Sequence, residues 1–402
     1  MNNLRDSWKY IGEGNAHIVI EILNTNYVLR LKKEHGKRFD LDRMQESVDF
    51  VNMVMSPLLF GGNDILNQIV QIPAEQLKEL TEKLYDIRPE HRRYKSTLNC
   101  FAIKSINLTM IDPHSVTNYC IEIKPKEGYI TSSFKNISKC YYCLKQCLKH
   151  EEGQINNTSR YCPLDLFSAD QTRMRNALLN LIDNPQNNFK LFLNGNIIYN
   201  DKSARTDFDT ILRNMLVFDS SLELFLSFII EILLGNKNIV ANDANKAVQE
   251  NTKMEYCVEN SKMEPGAILY KLLHLQKLSE DKQTYSNIDS DDFEYVKSIL
   301  DLLKVNALDL SVEEDREKFF SMCESVHLGM ISAVAKDCSI MLSFTPNYDN
   351  NYPYIEIGGQ KISYRLSITD LEPKSTKTLL KRKVTERKLL DLYKNMEPKR
   401  DS

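Results

Sequence analysis

The sequence has 402 residues, of which 52 are lysine or arginine and 55 are aspartate or glutamate, so the formal net charge is −3. This balance argues against a chain that binds nucleic acid through a uniformly basic surface. Hydrophobic residues make up 42% of the chain, with only 13 glycines and 12 prolines, which excludes wholesale disorder and collagen-like repeats. At about 150 residues per domain, the length predicts two or three domains.

Two features predict the compartment. The nine cysteines are odd in number, and the first residues, MNNLRDSWKY, lack a charged segment followed by an apolar one. We therefore expect a reduced protein of the cytoplasm, the nucleus or both. The most apolar stretch, 222–234, is interrupted by Glu223, Ser227 and Glu231 on one helical face, which predicts an amphipathic core helix rather than a membrane span. We expect a monomer without membrane or nucleic-acid partners.

The first 110 residues are predicted to form a small lobe of mostly antiparallel strands. Two runs rich in β-branched residues, IVIEIL (18–23) and YVLRLKK (27–33), flank an Asn-Thr-Asn turn and predict a hairpin. The pattern then predicts a helix at 40–55, a strand at 65–72, a helix at 73–85, and strands at 100–106 and 118–123.

The remainder is mainly helical in its periodicity. Helices are predicted at 140–150, 171–182, 208–216, 221–234, 266–278, 293–303, 315–336 and 377–393, and strands at 339–344 and 361–369. A polar segment, 236–264, is predicted to be a flexible insert. The order predicts an α+β, bilobal fold with a β-rich N-lobe at 1–110 and a larger, mostly helical C-lobe at 111–402.

A glycine-containing turn, Gly12-Glu13-Gly14-Asn15, lies between a polar-apolar alternation that begins at Lys9 and the predicted strand at 18–23. Glycines let backbone N–H groups approach and hold a phosphate, although an ordinary hairpin turn fits the same pattern. With Arg30 on a following strand and aspartates far along the chain, the turn resembles part of a bilobal phosphotransferase. It is no P-loop, because GxxxxGK[ST] is absent.

Charged residues also alternate in Glu122-Ile-Lys124-Pro-Lys126. Residues two apart on a strand share a face, so the three side chains are expected to point the same way. Such a face suits either a strongly anionic ligand or a solvated edge strand.

Two aspartates each stand beside a predicted strand: Asp337 in AKDCS and Asp370 in TDLEPK. One carboxylate can accept a hydroxyl proton during phosphoryl transfer, and the other can hold Mg²⁺. A helix cap or turn is the alternative for each.

Positive charge is concentrated in segments that the net charge conceals. Residues 374–388 carry +6 and residues 124–149 carry +5, and a third cluster comprises Arg88, Arg92, Arg93 and Lys95. Such runs are either solvated faces or the binding surface for an acceptor with several phosphates.

The cysteine cluster Cys140-x-x-Cys143, with His150 and Cys162 following, has the spacing of zinc ligands. A helix that buries its cysteines is the alternative.

Together these motifs resemble the inositol-pentakisphosphate 2-kinase family. The blocks that carry the resemblance are GEGNAHIV, EIKPKEGY, YCPLDLFS, PQNNFKLFLNG, AKDCSIMLSF and TDLEPK, which span 12–374. The resemblance implies a protein-kinase-like fold and transfer of the ATP γ-phosphate, with Mg²⁺, to the 2-hydroxyl of inositol pentakisphosphate, giving the hexakisphosphate.

The resemblance also implies roles for individual residues. Asp337 is the base, Lys124 stabilises the transferring group and Asp370 holds Mg²⁺. The implied ATP-binding residues are Gly12, Glu13, Gly14, Asn15, Arg30, Glu122 and Lys190. The implied inositide-binding residues are Lys126, Arg88, Lys149, Asn188, Lys374 and Lys377.

Two other functions fit the sequence. A catalytically silent scaffold for inositol polyphosphates would use the same basic residues, and a zinc-containing RNA-binding protein would use the basic clusters, although RNP signals are absent. A protein kinase fits less well, because HRD and DFG motifs are absent.

Overall fold

The computed structural model describes residues 7–14, 17–33, 40–62, 67–94, 98–235, 263–280, 293–357 and 359–396. These residues form an α+β protein with two antiparallel sheets. The strands are β1 (Trp8–Glu13), β2 (His17–Ile22), β3 (Tyr27–Lys33), β4 (Gln68–Gln71), β5 (Leu98–Ile106), β6 (Tyr119–Ile123), β7 (Phe189–Leu193), β8 (Asn196–Tyr199), β9 (Ser339–Thr345), β10 (Tyr354–Ile357) and β11 (Gln360–Thr369). The α-helices are α1 (Leu41–Phe50), α2 (Ser56–Phe60), α3 (Ala74–Ile87), α4 (Tyr141–Glu151), α5 (Pro163–Leu166), α6 (Gln171–Asp183), α7 (Arg205–Asn214), α8 (Leu222–Leu233), α9 (Ile268–Lys277), α10 (Glu294–Val305), α11 (Glu313–Met322), α12 (Ser325–Ala335) and α13 (Lys377–Met396).

The first sheet has the strand order β1-β2-β3-β5-β4. The predicted hairpin is confirmed, since β2 and β3 pair antiparallel with Val19 opposite Arg30. Alternating apolar residues of β2 and β3, the buried Ile18, Ile20, Leu29 and Leu31, form one cluster with Leu80 and Leu84 of α3. This alternation is what a sheet with one covered face requires.

The second sheet has the order β10-β11-β9-β6-β7-β8. The predicted strands at 118–123, 339–344 and 361–369 are confirmed as β6, β9 and β11, whereas β7, β8 and β10 were not predicted. Because β6 lies between β9 and β7, polar residues of three distant segments meet at its carboxyl end.

The largest hydrophobic core lies between the second sheet and its helices. The predicted core helix is α8, and its polar stripe faces α6: Arg175 contacts Glu223 and Ser227, and Gln171 donates to Glu231 at 3.0 Å. The segment from Phe50 to Leu59 also packs into this core. Among the described residues, no helix is both long enough and apolar enough to cross a membrane.

One helix that was predicted as continuous is interrupted in the structure. The pattern at 315–336 forms two helices, α11 and α12, separated at Cys323 and Glu324. Glu324 is extended, with φ −69° and ψ 159°, and its N–H donates to His327 Nδ1 at 3.3 Å. This local bond competes with helix continuation. The predicted insert at 236–264 lies outside the described residues except for its last two positions.

Candidate active site

The site begins at the carboxyl end of β6, where Glu122 is held from both sides. Lys190, its partner on β7, donates from Nζ to Glu122 Oε2 at 2.7 Å. Ser339, at the start of β9, donates to Glu122 Oε1 at 3.1 Å. A buried carboxylate needs such partners, and strand pairing supplies both.

Lys124 links this carboxylate to the end of β11. Its Nζ lies 2.9 Å from Asp370 Oδ2 and 3.8 Å from Glu122 Oε1. Burial lowers the pKa of Lys124, but Asp370 and Glu122 outweigh that effect and raise it above its ordinary value. Asp370 has φ +65° and also accepts from Ser339 Oγ at 3.2 Å, so its carboxylate is held in a strained turn.

Lys124 directly follows β6 and still pairs with the neighbouring segment, since its N–H donates to Asn188 O at 2.9 Å, and the chain turns away after it. The strand ends at Ile123, and Lys126 adopts φ +60° two residues after Lys124. Strand alternation therefore explains the proximity of Glu122 and Lys124, whereas a left-handed turn positions Lys126. Tyr161 fixes this turn by donating to Pro125 O at 2.7 Å.

Asp337 lies two residues beyond α12 and is paired with two cations. Lys126 Nζ is 3.4 Å from Asp337 Oδ1, and Lys374 Nζ contacts Asp337 Oδ2. Burial raises the pKa of this carboxyl, but Lys374 and Lys126 outweigh burial and hold it below its ordinary value. Burial and the neighbouring Lys124 lower the pKa of Lys126 despite Asp337. Asp337 is thus a carboxylate at neutral pH.

Asp337 opens into a cavity of about 1140 Å³. Against six acidic side chains, eight cationic ones line it: Lys126, Lys145, Lys149, Lys336, Lys374, Lys381, Arg382 and Lys383. Acidic residues also line it, but two of them, Glu127 and Glu386, are paired with Arg382. A partly enclosed space with this many cations suits a small ligand with several phosphates.

Sequence comparison agrees with this geometry. A family model described as inositol-pentakisphosphate 2-kinase matches residues 10–388. The chain belongs to this family. A Danio rerio inositol-pentakisphosphate 2-kinase is 26% identical over 96% of this chain and 93% of its own length. Proteins of that name from Oryza sativa subsp. japonica and Arabidopsis thaliana are 26% and 25% identical, with the same coverage.

In this member of the inositol-pentakisphosphate 2-kinase family, the glycine turn ends β1. Added Cβ atoms at Gly12 and Gly14 would meet no atom within 4 Å, so both backbones border open space. The carboxylate of Glu13 is 2% exposed and accepts from Lys33 at 2.6 Å. Asn15 lies outside the described residues.

Arg30 on β3 and Arg88, which follows α3, each pair with a carboxylate. Arg30 contacts Glu372, two residues after Asp370, and thereby joins β3 to the segment that carries the aspartate. The Arg88 side chain, 2% exposed, donates from Nε and Nη2 to Glu13 at 2.9 Å. Arg88 therefore forms an ion pair with Glu13 in this structure, and it does not line the cationic cavity.

Three predicted inositide-binding residues lie at or near the cavity in different ways. Lys149 and Asn188 line it, and Asn188 donates to Tyr142 Oη at 2.9 Å. Lys377 is exposed at the start of α13 and does not contribute to the described lining.

The structure brings together three of the four predicted zinc ligands, all of them thiols. The Sγ atoms of Cys140, Cys143 and Cys162 lie within 4.8 Å of one another. His150 is wrong as a fourth ligand, because it lies exposed ten residues after Cys140, or ~15 Å along α4. Hydrogen bonds with the thiols of Cys140 and Cys143 and with the backbone lower the pKa of Cys162. The hydrogen bond between Cys143 and Cys140 raises the pKa of Cys143. Three cysteine sulfurs this close together suit a soft metal ion.

Several residues that line the cavity were not predicted individually from the sequence as binding residues. Lys145, Lys336, Lys381 and Lys383 line the cavity, and Arg382 anchors its wall. Most lie within the two basic runs, so regional charge was the available signal. Nothing in the sequence distinguished the cations that face inward from those that face solvent.

Proposed function

We propose that this chain transfers the γ-phosphoryl group of ATP to the 2-hydroxyl of inositol 1,3,4,5,6-pentakisphosphate, giving the hexakisphosphate. The observation that carries the proposal is Asp337, a carboxylate between Lys126 and Lys374 at the wall of the cationic cavity. The relatives of this chain from Danio rerio and Arabidopsis thaliana carry the name of this activity.

The acceptor would enter the cavity with its phosphates among the lining cations, and its 2-hydroxyl would face Asp337. Phosphoryl transfer has a loose transition state in most analyses, so the base needs to orient the hydroxyl more than to be strongly basic. A carboxylate with a low pKa fits that role. Lys126 and Lys374 would neutralise the charge of phosphates beside the reacting hydroxyl.

The nucleotide would bind beside Glu122, Lys124 and Asp370, below the glycine turn. This arrangement corresponds to a protein-kinase-like bilobal fold in which the first sheet covers the phosphates. The contact of Arg30 with Glu372 brings β3 close to this place and supports the proposal. Lys124, which joins the Glu122 and Asp370 carboxylates, would stabilise the transferring group.

A magnesium ion fits the Asp370 end of the site, because this half-exposed carboxylate stands next to the proposed phosphate positions. Bound Mg²⁺ would neutralise the nucleotide phosphates. The three thiols of Cys140, Cys143 and Cys162 would hold a structural Zn²⁺, whose fourth ligand is not His150.

The test is incubation of the pure protein with Mg-ATP and the pentakisphosphate, followed by chromatographic separation of the products. We expect hexakisphosphate from the wild type and none from Asp337→Asn, which should still bind ATP because Asp337 lies on the acceptor side. Asp301→Asn, an exposed substitution on α10, is the matched control. A wild type that binds the pentakisphosphate without turnover would favour a silent scaffold, and normal turnover by Asp337→Asn would remove Asp337 from its role.

A further inference from the structure

A buried glutamine connects the two segments that carry Lys126 and Asp337. Gln276 lies near the end of α9 and is 0% exposed. Its Nε2 donates to Lys126 O at 2.8 Å and to Ala335 O at 3.1 Å, and its Oε1 accepts from Gly128 N at 2.8 Å. One amide therefore bonds both sides of the pair, because Ala335 stands two residues before Asp337.

The surroundings permit a single orientation of this amide. Two carbonyl oxygens face one end and an N–H faces the other, so only a side chain with donors and an acceptor in that order satisfies them. Its backbone carbonyl is also fixed, since it accepts from Tyr129 Oη at 3.0 Å and Ser332 Oγ at 2.7 Å. Gln276 thus has no freedom to adopt another rotamer without leaving buried groups unpaired.

The segment from Lys126 to Gly128, which Gln276 holds, needs such support. Lys126 has φ +60°, a backbone conformation that is strained for a non-glycine residue and persists only where neighbours impose it. On the other side, a Cβ at Gly128 would stand 2.3 Å from Phe167 Cγ, so this residue is fixed by close packing. Gln276 supplies the bonds on the side that faces α12.

We propose that Gln276 is a positioning residue that sets the separation of the Lys126 ammonium and the Asp337 carboxylate. The inference rests on the proposed function, because only the phosphoryl transfer reaction makes that separation consequential. Gln276 itself does not line the cavity.

Two variants and a control test the inference. Gln276→Met keeps the length and removes all three amide bonds, whereas Gln276→Glu keeps the volume and the acceptor but removes both donors. Ser332→Ala is the matched control, since it removes one of the two bonds to the Gln276 backbone carbonyl, which Tyr129 Oη still holds, and leaves all three side-chain amide bonds in place. We expect kcat to fall about 10- to 100-fold in both Gln276 variants. The KM for ATP should stay within about twofold, because the nucleotide side is not held by the amide.

The acid limb of the pH profile for kcat/KM supplies a second readout. If Lys126 moves away from Asp337, the pKa of Asp337 rises and the limb shifts to higher pH. Ser332→Ala should leave both kcat and this limb unchanged at a comparable loss of thermal stability. Unchanged kinetics in the Gln276 variants, an equal loss in Ser332→Ala, or failure of both Gln276 variants to fold would overturn the proposal. A wild type without turnover would refute the proposed function itself.

Discussion

The buried ion pair between α13 and the Lys126 turn gives a quantitative prediction for stability. Arg382 Nη2 lies 2.9 and 2.7 Å from the two carboxylate oxygens of Glu127, which is 4% exposed. Lys336 Nζ is 3.2 Å from the same carboxylate. Burial lowers the pKa of Arg382, but Glu127 and Glu386 raise it well above its ordinary value. The Arg382 guanidinium therefore stays charged at neutral pH.

Arg382→Met removes the guanidinium and keeps much of the apolar stem. Removal of one partner of a buried pair costs ~3–5 kcal/mol, and because Lys336 remains, we expect a loss of ~3 kcal/mol. Unfolding entropy of ~2.1 cal/mol/K per residue amounts to ~0.8 kcal/mol/K for this chain, so the Tm should fall by about 4 °C.

Differential scanning calorimetry without ligands measures this shift. Arg387→Met, at an exposed position on the same helix, should move the Tm by less than about 1 °C. Adding Glu127→Gln to Arg382→Met should cost less than the sum of the two single changes, because each single change already breaks the pair. A decrease below about 1 °C for Arg382→Met, or strict additivity, would refute the assigned role of this pair.

Two further predictions concern the site. Lys374→Met removes the largest opposing influence on the Asp337 carboxyl, so its pKa should rise and the acid limb of kcat/KM should move to higher pH, while Lys394→Met on the exposed part of α13 should leave the limb in place. An unmoved limb in Lys374→Met would separate Asp337 from the observed ionisation. For the thiol cluster, purified protein should contain about one zinc per chain, and Cys162→Ser should reduce this content, whereas Cys323→Ser outside the cluster should not. Equal metal content in all three proteins would exclude the cluster as the site.

The strands of the site were predicted only where their sequence pattern is strong. The β-branched hairpin and the buried strand β9 carry that pattern, and both are confirmed. The hairpin of β7 and β8 was missed although its turn contains Asn194-Gly195, with φ +48° and +76°. Asn-Gly between apolar runs is a strong hairpin signal, so this strand pair was predictable from turn chemistry.

The pairing of charged residues was less predictable than their identity. The sequence motifs single out Glu122, Lys124, Asp337 and Asp370 as separate candidates. That Lys124 reaches Asp370, 246 positions away, follows from the adjacency of β6, β9 and β11, which is a property of the sheet order. Local periodicity does not encode such long-range neighbours. Gln276 was missed for the same reason, because a lone glutamine on a helix carries no signal of what its amide will meet.

The ion pairs of the site bear directly on how an acceptor with several phosphates would bind. Lys126 and Lys374, which would hold phosphates, pair with Asp337, and Lys124 pairs with Asp370. Each cation therefore has a carboxylate partner before any substrate arrives. A phosphate that draws Lys126 or Lys374 away weakens the influence that keeps the pKa of Asp337 low, so acceptor binding would itself raise that pKa and free the carboxylate to orient the hydroxyl. An acceptor with few phosphates would displace fewer of these contacts. On this reasoning, selectivity for a highly phosphorylated acceptor would arise from release of Asp337 from its ion pairs as well as from attraction by the cavity.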